Sequence, residues 1–328
     1  MTVKERFEAL FEGKMSADEA RVFLVELYEK GESAEDIAAA AEVMRAHSIK
    51  LPLSEELRKR AVDVVGTGGD KSGTFNISTT VSLLLASTGR VVAKHGNRSI
   101  TSKSGSADVL EALGVNLDLG VKEQITMLQE TGFTFIFAIN HHPAMKHIMP
   151  VRKSIPHRTI FNILGPLTNP AGAQKYLLGV FLPEFIRKMA DALVALDAKR
   201  AFVVSSLEGM DEIGLGAPTK FAYVKEGKVS EGEIDPQTHG FNPAPIEALK
   251  GGDATQNAQI IRDIFSGKER EAKRDAVLLN AAYALFAEGN VRDIQEGIEI
   301  AQDTIDSGKA KEHLQKIIRV SQTLGSEK

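Results

Sequence analysis

The chain has 328 residues, 43% hydrophobic and 26% charged, and its 40 Lys and Arg against 44 Asp and Glu give a net charge of −4. That length fits one large domain or two unequal ones, and the slight acidity argues against a surface that coats nucleic acid. The absence of cysteine excludes disulfide frameworks, thiolate metal sites and cysteine nucleophiles.

The N-terminus runs from Met1 into an amphipathic pattern rather than a signal-peptide core. No apolar run is long enough to span a bilayer, so a cytoplasmic protein without membrane partners is expected. The first sixty residues read as short helices. Val3, Phe7, Leu10 and Phe11 share one helical face. Ser16 with Glu19 has the spacing of a capping box before Ala20, Phe23, Leu24 and Leu27. Ser33 with Asp36 repeats the signal before Ile37, Ala40, Ala41 and Met44.

The pattern changes at Ala61. Ala61 to Val65 is a β-branched run that ends in Gly66-Thr67-Gly68-Gly69-Asp70. A helix follows over Asn76 to Thr88, then a strand over Val91 to Ala93 and a helix over Ala107 to Leu113. Further strands are expected at Phe133 to Phe137, Leu177 to Phe181, Ala201 to Val204 and Phe221 to Val224, with a helix over Glu184 to Leu196. This alternation predicts an α/β fold with a central, mostly parallel sheet. Gly227 to Pro245 is polar and rich in Gly and Pro and reads as a surface excursion, after which helices return.

Open α/β sheets bind ligands at the carboxyl ends of their strands, and the unusual residues lie at such ends. Three glycines directly after a strand allow consecutive N–H groups to form an anion-binding nest. Asn76-Ile77-Ser78-Thr79 then opens a helix whose first-turn amides also favour phosphate. Neither a Walker lysine nor a dinucleotide fingerprint is present. Lys94-His95-Gly96-Asn97-Arg98 and Lys103-Ser104-Gly105-Ser106-Ala107-Asp108 add three cations and several hydroxyls at strand-to-helix junctions. Lone loop charges are usually only solvated; two phosphate-type turns beside them favour a polyphosphate site.

These segments resemble the anthranilate phosphoribosyltransferase family. The resemblance extends through His142-Pro143-Ala144-Met145-Lys146, Val151-Arg152-Lys153 and Arg158 to Asn169-Pro170, and covers nearly the whole chain. It implies a fold shared with nucleoside phosphorylases. A small helical domain (1–60, with a contribution from about 141–172) would be hinged to a larger α/β domain (61–328), and the protein would be a homodimer. It further implies a magnesium-dependent enzyme of tryptophan biosynthesis, transferring phosphoribosyl from phosphoribosyl pyrophosphate to anthranilate. By motif match, Gly66, Gly69, Asp70, Thr74, Asn76, Ser78, Thr79, Lys94 and Ser106 would hold the donor. Gly66, His95, Asn97, His142, Arg152 and Pro166 would meet anthranilate, and Lys94, Asn97 and Arg152 would carry catalysis. Arg152 rather than Arg158 matches the anthranilate-carboxylate position; Arg158 would instead order the helix start beside Thr159, and the plainer reading, a structural ion pair, fits it better.

Asp211-Glu212 follows the Ala201 to Val204 strand. Adjacent carboxylates repel unless a cation relieves them, and magnesium takes oxygen ligands. An acidic dipeptide alone is more often a solvated pair; the resemblance implies Mg²⁺ at Asp211 and Glu212, with Ser78 assisting. The chain departs from the family pattern at Ser205-Ser206, Ala217-Pro218-Thr219 and Ile139-Asn140, none of them residues matched to catalysis. Two alternatives share parts of the pattern: a pyrimidine nucleoside phosphorylase, which needs no acidic pair, and a nucleic-acid-binding paralogue, which needs a basic groove.

Overall fold

The computed structural model describes residues 1–99 and 103–326. Seven strands form one sheet: β1 (Val62–Gly66), β2 (Val92–Gly96), β3 (Phe133–Phe137), β4 (Lys175–Gly179), β5 (Arg200–Ser206), β6 (Thr219–Lys225) and β7 (Lys228–Ile234). Their order is β3-β2-β1-β4-β5-β6-β7. Neighbours from β3 to β5 run parallel, and β6 and β7 are added antiparallel.

The side-chain alternation of a strand divides the interior in two. Val62, Val64, Leu177, Phe202 and Val204 face one hydrophobic cluster, filled by helices Ile77–Ser87, Ser106–Leu113, Ala272–Glu288 and the C-terminal helices. Val65, Ala93, Leu178 and Val203 face the other. There the amino-terminal helices Val3–Phe11, Ala17–Lys30 and Ala34–Ala46 join helix Phe185–Ala195 and the segment around Phe161. Both capping boxes form, with Ser16 accepting from the Glu19 amide and Ser33 from the Asp36 amide. The helical layer therefore shares a core with one face of the sheet, and Ala34–Ala46 packs directly on Phe185–Ala195.

Three expectations need correction. Gly227 to Pro245 is no mere surface excursion, because Lys228–Ile234 pairs with β6 as the edge strand. Its residues are mostly exposed, among them Lys228, Glu231 and Glu233, so no apolar alternation marked it. β2 does not stop at Ala93; Lys94 and His95 lie within it, both buried. Their polarity ended the hydrophobic signal, whereas the backbone continues in register with Phe135 and Ile136. β4 lies two residues earlier than expected, at Lys175–Gly179.

From β1 the chain moves out to β2 and β3, then returns to place β4 on the opposite side of β1. That reversal is the switch point at which such sheets open a crevice. Gly66 and Gly179 stand side by side there, as register partners. Both must be glycine for a steric reason. A Cβ on Gly66 would come within 2.3 Å of the Asp211 carboxylate, and one on Gly179 within 1.4 Å of the Asp211 carbonyl. The missing side chains let the turn after β5 lie across the strand ends.

Candidate active site

Two adjoining cavities open at this switch point. The first, about 320 Å³, is polar. Gly66, Gly69, Asp70, Thr74, Asn76, Ser78, Lys94, Ser106, Asp211 and Glu212 line it. The second, about 510 Å³, is largely apolar, with Met44, Ile139, Met145, Met149, Phe161 and Pro166 in its wall beside His95 and His142. Gly66, His95, Asn97, Arg152 and Asn162 border both.

The glycine turn builds the floor of the polar cavity. Gly68 and Gly69 have φ of +65° and +72°, a conformation costly for residues with a Cβ. Gly68 N donates to Asp211 Oδ2 at 2.7 Å, and Ser72 N to Asp70 Oδ1 at 3.1 Å. A distant segment clamps the far side of the turn. Phe75 N donates to Leu249 O and Gly251 N to Gly73 O, each at 3.0 Å. Lys250 Nζ donates to Ser72 O, and Asn257 Nδ2 to Asn76 Oδ1 at 2.8 Å. Asn76 spends its own amide on Ser104 O rather than capping its helix. The first-turn amides of Ile77–Ser87 therefore have no side-chain cap, which suits an anion.

β2 serves both cavities through its pleat. Lys94 points toward helix Ile77–Ser87, with Nζ 2.7 Å from Val64 O and 3.5 Å from Ser78 Oγ. Burial lowers its pKa to about 8, against the pull of Asp63, Glu212 and Asp211. His95 points the opposite way, with Nδ1 3.1 Å from Gly165 O and Nε2 3.3 Å from His142 Nε2. A carbonyl only accepts, so His95 carries its proton on Nδ1 and receives one from His142 Nε2–H. His142 Nδ1 is then an acceptor, buried and without a hydrogen-bond partner among the described residues. Burial depresses both imidazoles, His142 to about 4, and each is neutral at pH 7. Beneath them Asp63, fully buried, accepts from Asn169 Nδ2 at 2.7 Å and from His95 N at 3.2 Å. Burial pushes the Asp63 carboxyl up to about 7.

At the inner end of the polar cavity, carboxylate oxygens of Asp70, Asp211 and Glu212 lie within 4.8 Å of one another. Burial and then the charge of Asp70 raise Asp211 to about 7, and burial with Asp211 raises Glu212. Glu212 Oε2 is buried without a hydrogen-bond partner among the described residues. Three converging carboxylates with one orphaned oxygen form an all-oxygen donor set that fits a hard divalent cation such as magnesium. Sequence spacing gave no hint that Asp70, 141 residues before Asp211, would join the acidic pair.

Arg152 is half-buried where the cavities meet, and among the described residues its guanidinium has no hydrogen-bond acceptor or ion-pair partner. Burial lowers its pKa. An unsatisfied buried cation marks a place for an anion. Arg158 takes a different part from the ion pair expected of it: its Nη2 donates to Gly69 O at 2.6 Å and its guanidinium sits over Phe181. Arg98 is held by Asp108 and Glu111 at 3.0 and 2.6 Å and so braces a helix start. Thr79 is fully buried and does not reach the cavity; its hydroxyl donates to Ser106 Oγ at 3.1 Å. Asn162 was missed because its only sequence context is apolar; it borders both cavities and accepts from Thr159 N at 3.0 Å. Of the departures, Ile139 is 61% exposed at the mouth of the apolar cavity, while Ser205 and Ser206 are buried at the end of β5.

Comparison with known proteins places these cavities in a family context. Residues 58–311 match the model of the glycosyl transferase family, a/b domain. An anthranilate phosphoribosyltransferase of Rubrobacter xylanophilus is 44% identical over 317 residues, covering 97% of this chain and 92% of that protein. The crystal structure of the Thermus thermophilus anthranilate phosphoribosyltransferase superposes with a TM-score of 0.91 at 42% identity, covering 98% of this chain and 94% of that one. The Saccharomyces cerevisiae enzyme, solved in complex with PRPP and Mg, gives 0.85 at 27% identity over 97% of this chain and 91% of its own. The same yeast enzyme has been solved with 4-fluoroanthranilate, at a TM-score of 0.84 and 25% identity over 97% and 90% of the two chains. The chain belongs to the anthranilate phosphoribosyltransferase family.

Proposed function

We propose that this enzyme transfers the phosphoribosyl group of phosphoribosyl pyrophosphate to the amine of anthranilate, giving N-(5-phosphoribosyl)anthranilate and pyrophosphate for tryptophan biosynthesis. One observation carries the reading: a polar cavity with an acidic cluster and an apolar cavity with an unpaired arginine meet at Gly66, Asn97 and Arg152. The donor demands the first and a planar aromatic acid the second. The comparisons favour this reading over a pyrimidine phosphorylase or a nucleic-acid-binding paralogue, since the relatives carry the anthranilate transferase name.

In the reaction the bond from the ribose anomeric carbon to the pyrophosphate oxygen breaks and a bond to the anthranilate nitrogen forms. Positive charge grows on the sugar and negative charge on the departing diphosphate. The amides of the 66–79 turn and Lys94 stabilise the latter in a site already organised to receive it. Asp70, Asp211 and Glu212, with Ser78 nearby, would hold Mg²⁺, which neutralises diphosphate charge. Arg152 pairs with the anthranilate carboxylate through its planar fork, and Asn97 orients the amine. An aromatic amine is neutral at pH 7 and needs no strong base; its proton passes to the ortho-carboxylate or solvent. Neutral His95 and His142 line its path with Pro166 and leave the aromatic ring an uncharged wall. Closure of the helical domain (1–60, with a contribution from about 141–172) on the remainder of 61–328 would bring its loops over the substrates to exclude water, with the shared core limiting that movement to a small one. A cytoplasmic homodimer is the assembly proposed.

The test is the loss of anthranilate fluorescence on adding phosphoribosyl pyrophosphate, which should require magnesium. Phosphorolysis of thymidine or uridine in its place would refute the assignment.

The acidic cluster makes a second prediction. In the metal-free protein burial and mutual repulsion raise both Asp211 and Glu212, so an arriving cation must displace more proton from the pair at pH 6 than at pH 8. Magnesium should therefore bind more tightly at pH 8 than at pH 6 and release more protons per ion at the lower pH. Calorimetry in two buffers of different ionisation enthalpy measures both. An affinity flat across this range would exclude the cluster as the metal site.

A further inference from the structure

We propose that Arg158 is a positioning residue for the phosphoribosyl donor, acting through the Gly69 carbonyl without touching the substrate. Its Nη2 donates to Gly69 O at 2.6 Å. Its guanidinium carbon lies 3.7 Å from the centroid of the Phe181 ring, two residues beyond the end of β4. Phe181 is itself tied to the glycine turn, because its amide donates to Thr67 Oγ1 at 3.1 Å. Arg158 thus joins three segments: the turn after β1, the turn after β4, and the 153–161 connection that follows the helix carrying Arg152.

The geometry matters because of where Gly69 sits. Gly68 and Gly69 both occupy left-handed backbone conformations, and glycine in such a turn has many alternatives of similar energy. Two contacts choose among them. Asp211 Oδ2 accepts from Gly68 N, and Arg158 takes Gly69 O. In a planar trans peptide the carbonyl and the following N–H point in opposite directions. Drawing Gly69 O toward Arg158 therefore turns the Asp70 amide the other way, back toward the turn whose amides form the anion nest. No carboxylate among the described residues pairs with Arg158, so this carbonyl is its one polar partner there. The link also runs from the helical layer to the donor turn. Arg158 adds one contact from that layer to a turn otherwise held by Asp211 and by the 249–257 segment.

The inference rests on the proposed transferase activity, so the experiment includes a readout independent of the acceptor. Steady-state kinetics of Arg158→Ala should show the KM for phosphoribosyl pyrophosphate raised about tenfold to a hundredfold, the loss expected for a charge-assisted hydrogen bond. The KM for anthranilate should stay within about twofold. Arg158→Lys should recover part of the donor affinity, since an ammonium can reach the carbonyl but cannot stack as a guanidinium does. Phe181→Leu, which spares the hydrogen bond, should give a smaller donor defect and serves if Arg158→Ala does not fold. Calorimetric titration with magnesium pyrophosphate should show the same order of weakening, even if the acceptor is not anthranilate. Equal rises in both KM values, or unaltered pyrophosphate binding in Arg158→Ala and Arg158→Lys, would overturn the proposal.

Discussion

Replacing Arg152 by alanine is expected to raise the KM for anthranilate about a hundredfold, with little change in the KM for phosphoribosyl pyrophosphate. The guanidinium is half-buried, and burial already depresses its pKa because no anion of the protein compensates it. Binding the substrate carboxylate supplies that compensation. Breaking one side of a desolvated, hydrogen-bonded charge pair costs about 2–5 kcal/mol, and about 2.8 kcal/mol, in the lower half of that range, corresponds to the stated factor. Arg152 borders both cavities, so the division between the two substrates is the informative quantity. Equal effects would move Arg152 to the donor or to general architecture. Arg152→Lys should recover little, because an ammonium does not reproduce the two parallel hydrogen bonds of the planar fork. The unliganded alanine variant should melt no lower than the parent, since the substitution removes a desolvated and unpaired cation.

Asp211→Asn should lower kcat/KM for phosphoribosyl pyrophosphate by about two to three orders of magnitude, the scale of losing a preorganised electrostatic contact to a leaving group. Asparagine keeps an oxygen in place to accept from Gly68 N, as Asp211 Oδ2 does at 2.7 Å. The glycine turn should therefore survive while the charge of the cluster falls by one. Saturating magnesium should restore part of the rate, because two carboxylates, Asp70 and Glu212, remain. The same variant should show a weaker pH dependence of metal binding between pH 6 and 8, with the remainder carried by Glu212, which burial raises on its own. A loss of activity that magnesium does not modulate would mean that Asp211 serves the turn and not the ion.

The parts of this site legible in the sequence were those whose signal is local. The turn at Gly66 to Asp70 was marked by its own glycines, and the boxes at Ser16 and Ser33 by a three-residue spacing that a helix start requires. Even Asp211 and Glu212 were visible as neighbours. What could not be read was assembled across long separations. Asp70 completes an acidic cluster with residues 141 and 142 positions away. Lys250 and Asn257 hold the donor turn from a segment that carries no phosphate signal of its own. Arg158 reads as an ion pair in the sequence because a sequence shows charges but not backbone carbonyls such as that of Gly69. β7 escaped because an edge strand mostly exposed to water has no buried stripe to give it away.

The alternation within β2 carries a consequence for how such a chain is free to vary. Lys94 and His95 are adjacent, yet one is directed to Ser78 in the first turn of helix Ile77–Ser87 and the other to Gly165 and His142. A single residue inserted or deleted between Val92 and Lys94 would rotate the pair by half a turn, sending an ammonium toward the apolar cavity and an imidazole toward the polar one. Point substitutions in this pentapeptide are open to gradual compensation. A change in its length is not, because both halves of the reaction centre would be miswired at once.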